Sequence, residues 1–108
     1  MAVLNITFEP WERETIGADF TAVLADGETI KASPDSRIVA VDSSGNDVSD
    51  TVLDQDTITI SDGIIQILWR DGVVNEKYSI HFRIETSLNF RYETNSKIMI
   101  REVGTVVL

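Results

Sequence analysis

Few side chains in this sequence of 108 residues could carry out a reaction. His81 is the single histidine and there is no cysteine. The lack of cysteine removes thiol catalysis, disulfide stapling and cysteine-ligated zinc. Acyl transfer would need a serine aligned with His81 and an acid, and no G-x-S-x-G elbow is present. His81 falls on the outward side of an alternating segment and reads as a surface histidine. Asp42, Asp47, Asp50, Asp54 and Asp56 form the densest run of carboxylates. Loop carboxylates can hold calcium, but these are not spaced as D-x-[DN]-x-[DN]-G-x₅-E, so the segment reads as a solvated loop. A paired-carboxylate glycosidase needs two acids across a cleft, and the spacing points to none. No phosphate-binding glycine loop occurs either. The expectation is a protein that is not an enzyme and needs no cofactor or metal.

The remaining groups of interest suit binding. Arg83, Lys97 and Arg101 share the expected exposed face of the last two strands, joined by Arg91 from the turn. They are either separate solubilising charges or a patch that meets the acidic half of a neighbouring subunit. The tail Thr105, Val106, Val107 and Leu108 has no charged side chain. It can fold back on its own sheet edge or add to a neighbour's, since a free edge is a pairing template.

The elements that must position these groups are strands. In Tyr78 to Ser87, Tyr78, Ile80, Phe82 and Ile84 alternate with Ser79, His81, Arg83 and Glu85, the period of a half-buried strand. Ser96 to Val103 follows with Ile98 and Ile100 inward, and the two segments predict a central antiparallel hairpin. Val3 to Phe8 predicts a first strand, ended by Pro10, with Trp11 covering one end of the core. Glu14 to Phe20 predicts a second, followed by one helical turn before Asp26-Gly27. Glu28 to Ala32 and Arg37 to Val41 predict a third strand, kinked or split at Ser33-Pro34-Asp35. Asp42 to Asp47 is a polar loop, and in the ambiguous stretch to Asp56 Val52 and Leu53 anchor a short edge segment. Thr57 to Ser61 and Ile64 to Arg70 are strands joined through Asp62-Gly63, as a tight hairpin or a bulge. Ile65, Ile67 and Trp69 take one side of the latter strand.

About seven short strands with frequent turn signals and no long helix predict an all-β, immunoglobulin-like Greek-key β-sandwich of antiparallel strands. In that fold Tyr78 would pack inward and bond through its hydroxyl to backbone in the preceding loop. The length predicts one domain over 1–108, with 104–108 as an exposed or partner-docking tail. No apolar run reaches the roughly 18 residues of a bilayer span, and the first residues lack the pattern of a secretion signal. A net charge of −9 argues against partners bound through a basic face, nucleic acid and anionic membrane alike. The charge is uneven: residues 1–62 hold thirteen acids and three bases, a balance of −10, and residues 63–108 five acids and six bases, a balance of +1. Such a chain suits head-to-tail packing against a copy or a neighbour.

The order of features resembles the small immunoglobulin-like proteins of phage and prophage structural genes, of the fibre–tail adaptor or head–tail type. The shared features are Asp19-Phe20, Leu24, Gly27-Glu28-Thr29-Ile30, Asp71-Gly72, Tyr78-Ser79-Ile80, Thr86-Ser87 and Tyr92-Glu93. The likeness spans residues 8 to 103. The chain departs from that group at Leu88-Asn89-Phe90-Arg91, where Gly-Arg is common, and at Asn75-Glu76-Lys77, which lacks a second glycine. The resemblance implies a virion structural protein near the tail or neck, assembled in the bacterial cytoplasm. Its partners would be other virion proteins, and it could be a homo-oligomer. The alternative is a carbohydrate-binding or adhesion module, which would need Trp11, Phe90 and Tyr92 in a row on one face.

Overall fold

The computed structural model describes residues 4–101. Among the described residues, alternating apolar positions make seven strands: β1 (Leu4–Phe8), β2 (Glu14–Asp19), β3 (Arg37–Asp42), β4 (Leu53–Ser61), β5 (Ile64–Trp69), β6 (Lys77–Glu85) and β7 (Arg91–Ile100). They form two sheets, one of four strands in the order β1-β7-β6-β3 and one of three in the order β2-β5-β4. Each sheet turns its apolar side to a shared core. Tyr78, Ile80, Phe82 and Ile84 come from β6, Ile98 and Ile100 from β7, and Ile65, Ile67 and Trp69 from β5, all buried. Burying a large apolar side chain stabilises a fold by roughly 1.5–3 kcal/mol, which makes this cluster the main source of cohesion.

The predicted hairpin is present, with β6 and β7 antiparallel from Lys77↔Met99 to Glu85↔Arg91. β7 begins at Arg91 and so runs further back than the expected Ser96. β4 and β5 also form a hairpin, whose turn residues Asp62 and Gly63 both have positive φ (53° and 82°). That backbone twist matches the flanking strands, which explains the preference for Asp-Gly there. The helical turn expected before Gly27 is a 3-10 turn at Thr21–Val23. The ambiguous stretch resolves into a short helix, α1 (Ser49–Val52), and the start of β4, with Val52 and Leu53 buried.

Three expectations are corrected. β1 pairs with β7 in parallel, so the strands are not all antiparallel. Residues 28–32 form no strand; Ile30 makes one isolated bridge to Thr86. The Glu28 side chain instead caps the local turn through the Ala25 N–H and accepts from the buried Thr86 hydroxyl, which ties this segment to the end of β6 at one point rather than along a ladder. Trp11 does not cover the core: it is 92% exposed, and Trp69 fills the core, its ring centroid 5.0 Å from Tyr78 and 6.1 Å from Phe8.

Candidate interaction surface

The register of the four-stranded sheet decides which charges meet. Inward Ile38, Tyr78, Ile80, Phe82, Ile84, Ile98 and Ile100 leave the alternate residues facing out. Arg37, Lys77, Arg83, Arg91, Lys97 and, just past β7, Arg101 therefore share one outer face, all exposed. These are six of the chain's nine cations, so the basic side is a sheet face rather than half of the sequence. Glu85 and Glu93 stand among them. The outer side of the other sheet carries Thr15, Gly17 and Asp19 from β2, Gln66 and Leu68 from β5, and Asp54 and Thr59 from β4. Its cation, Arg70, lies 3.9 Å from Asp54 and 3.7 Å from Asp71.

The four cations singled out from the sequence share this face, but they do not form a uniform patch. Arg83 faces Glu93 across the hairpin and donates to its carboxylate. Arg91 faces Glu85 and donates to it at 2.9 Å, while Lys31 holds the other Glu85 oxygen at 2.9 Å. These cations hold the Glu85 carboxyl below the usual value, Lys31 more than Arg91. Lys97 and Arg101 make no ion pair among the described residues; Lys97 donates to the Ser79 hydroxyl at 2.6 Å and Arg101 to the Met99 sulfur at 3.2 Å. The sequence held a signal for this division. Arg83 with Glu93, and Arg91 with Glu85, are spaced symmetrically about Leu88, as partners across a hairpin must be. Val106, Val107 and Leu108 lie outside the described residues.

The hairpin tip between these pairs is tightly braced. The Thr86 N–H donates to the Phe90 carbonyl at 2.8 Å, and Asn89, at φ 66°, donates to the Thr86 carbonyl at 2.8 Å. Leu88 and Phe90 project from it, each 55% exposed. At the opposite end of the sheet, a cleft of about 590 Å³ opens between Thr7, Ser43, Lys77, Lys97, Met99 and Arg101.

The acid-rich segment is spent on turns. Asp42 accepts from the Ser44 and Asn46 N–H groups at 2.9 Å, and Asp47 from the Ser49 hydroxyl and N–H. The bonds from Asn46 and Ser49, respectively, contribute most to lowering the two carboxyl pKa values. Among the described residues, no three or more carboxylates or histidines gather into a metal-binding group. His81 is partly buried, its Nδ1 3.9 Å from a Glu93 oxygen, on an open sheet face rather than in a cleft with a serine.

Trp11, Phe90 and Tyr92 do not form a row. Trp11 follows β1, which ends beside Ile100, whereas Phe90 immediately precedes β7 and Tyr92 is at its start. The length of β7, at about 3.4 Å per residue, puts roughly 30 Å between them. The flat aromatic platform of a sugar-binding face is therefore missing from these three residues.

Tyr78 occupies the predicted place. Its ring is buried and its hydroxyl accepts the Val73 N–H at 3.0 Å, from the loop before β6. Desolvation is the main cause of its raised pKa.

No curated protein matches the chain. Residues 9–100, most of the chain, match the family described as podophage GP4 fiber-tail adaptor protein gp77, and the chain belongs to that family.

Proposed function

We propose that this chain is a non-enzymatic structural protein of a phage or prophage virion, joining other virion proteins near the tail or neck. The family description supports an adaptor between fibre and tail. The observation that carries the reading is the gathering of six cations on one sheet face of a chain with net charge −9. Opposed charge steers partners together and rejects wrong ones, and repetition in a ring multiplies a small interface. Arg83, Arg91, Lys97 and Arg101 form the docking face, with Val106, Val107 and Leu108 as a second point of attachment. Its partners are virion proteins and further copies of itself, not nucleic acid or membrane, and the virion is its location after assembly in the bacterial cytoplasm.

We also read residues 1–108 as one immunoglobulin-like Greek-key domain. The strand order β1-β7-β6-β3 over β2-β5-β4 and the Tyr78 hydroxyl on Val73 support this reading.

The test mixes the chain with purified tails and fibres of the same phage in the analytical ultracentrifuge. Wild type is expected to co-sediment with them in a salt-sensitive way, and Lys97→Glu/Arg101→Glu to bind about tenfold more weakly. No binding to either would overturn the adaptor role, and unchanged binding by the variant would overturn the docking face.

A further inference from the structure

Trp11 is the most exposed large apolar side chain among the described residues, at 92%. It sits on a closed turn rather than a loose loop. The Glu12 N–H donates to the Glu9 carbonyl at 3.1 Å, and the Glu12 carboxylate accepts the Glu9 N–H at 3.0 Å. The indole is thus held out by a fixed backbone, with Glu12, Arg13, Glu14 and Asp71 beside it and Glu9 at the start of its turn. Holding such a large apolar group in water is unfavourable, and a preorganised aromatic anchor is what a binding hot spot requires.

A complementary receptor lies on the same molecule. The cleft of about 590 Å³ has Lys77, Lys97 and Arg101 around it and the Met99 thioether between them. The acid at its rim, Asp42, is already engaged by the backbone of its own turn. Cations attract the face of an indole, and thioethers pack favourably against its edge. The glutamates around Trp11 would meet the lysines and arginine of the cleft.

The two features lie at one end of the sandwich. The Arg101 N–H donates to the Phe8 carbonyl at 2.9 Å, which ties the cleft's rim to the strand that leads into the turn. The exposure of Trp11 excludes docking into its own cleft. Resting on the reading of the chain as a structural adaptor, we infer that a second copy is the occupant. Trp11 of each copy enters the Lys77–Lys97–Arg101 cleft of the other in a two-fold pair. A patch that carries both knob and hole satisfies two copies at once, the condition for a closed symmetric dimer.

Sedimentation of the full chain across a range of concentrations tests this. Wild type is expected to dimerise, more weakly at high salt. Trp11→Ala should weaken the dimer about 30-fold and Lys97→Glu about tenfold. Glu9→Lys combined with Lys97→Glu should recover most of the second loss, because the Glu9 side chain takes no part in the turn's hydrogen bonds. The near-ultraviolet signal of buried Trp69 reports that each variant is folded. A chain monomeric at every concentration overturns the pairing, as does a dimer indifferent to Trp11→Ala. A dimer that needs Trp11 but ignores both Lys97→Glu and the charge swap overturns the cleft as receptor. All three results leave the adaptor role to the separate experiment with tails and fibres.

Discussion

Arg83 and Glu93 lie directly opposite each other on the central hairpin, and the guanidinium donates to the carboxylate. The pair makes Arg83 a poor contributor to long-range attraction despite its exposure. A partner's carboxylate would have to compete with one already in place. Lys97 and Arg101 have no such neighbour among the described residues, so they should dominate any charge-dependent contact.

Arg83→Glu should therefore act first on stability. It sets two carboxylates against each other across the hairpin, at a cost of about 0.5–1 kcal/mol for an exposed pair. Chemical denaturation would show this loss, while binding to tails and fibres should change less than for Lys97→Glu. The reverse order would mean that Glu93 leaves Arg83 on docking.

Tyr78→Phe removes the acceptor of the Val73 N–H and leaves the ring packed against Trp69. The expected loss is about 1 kcal/mol, the usual scale for one hydrogen bond. Urea unfolding should show a lower midpoint with an unchanged slope, because the buried surface is the same. No loss at all would indicate that water replaces the hydroxyl without penalty.

Glu85 gives the hairpin tip an acid-sensitive anchor. Its folded carboxyl pKa lies below the usual 4.5 because it accepts from Lys31 and Arg91. A depressed folded value means that the contribution is complete above 4.5 and is lost as pH falls through the folded value. Glu85→Gln should flatten the fall of stability with pH below about pH 4.5 relative to wild type. Above that pH the two curves should run parallel; equal slopes in acid would show that the pairs contribute nothing to folding.

Much of this architecture was readable from alternation alone. Tyr78, Ile80, Phe82 and Ile84, or Ile65, Ile67 and Trp69, have one physical way to be buried together on extended chain. Alternation is blind to direction, however, so the parallel pairing of β1 with β7 had no signature. It is also blind to partners: Glu28 to Ala32 has a strand's pattern, but its backbone finds a single bridge at Ile30. The two tryptophans differ for a similar reason. Composition treats them alike, whereas Trp69 continues an inward series and Trp11 follows a proline among glutamates. On the outer face of the four-stranded sheet, counting charges located the cations but not which were already paired. The symmetry of Arg83 with Glu93 and Arg91 with Glu85 about Leu88 separates them from Lys97 and Arg101, once the two strands are read as one hairpin.

The parallel contact of β1 with β7 has a mechanical consequence. A pull on the chain ahead of Leu4 and beyond Ile100 would drag these two strands past each other lengthwise. Their five register pairs, from Leu4↔Ser96 to Phe8↔Ile100, would then bear the load simultaneously. Strands drawn apart from one end would instead part rung by rung under much smaller tension. Stretched along its own backbone, the protein should hold until the whole seam gives way.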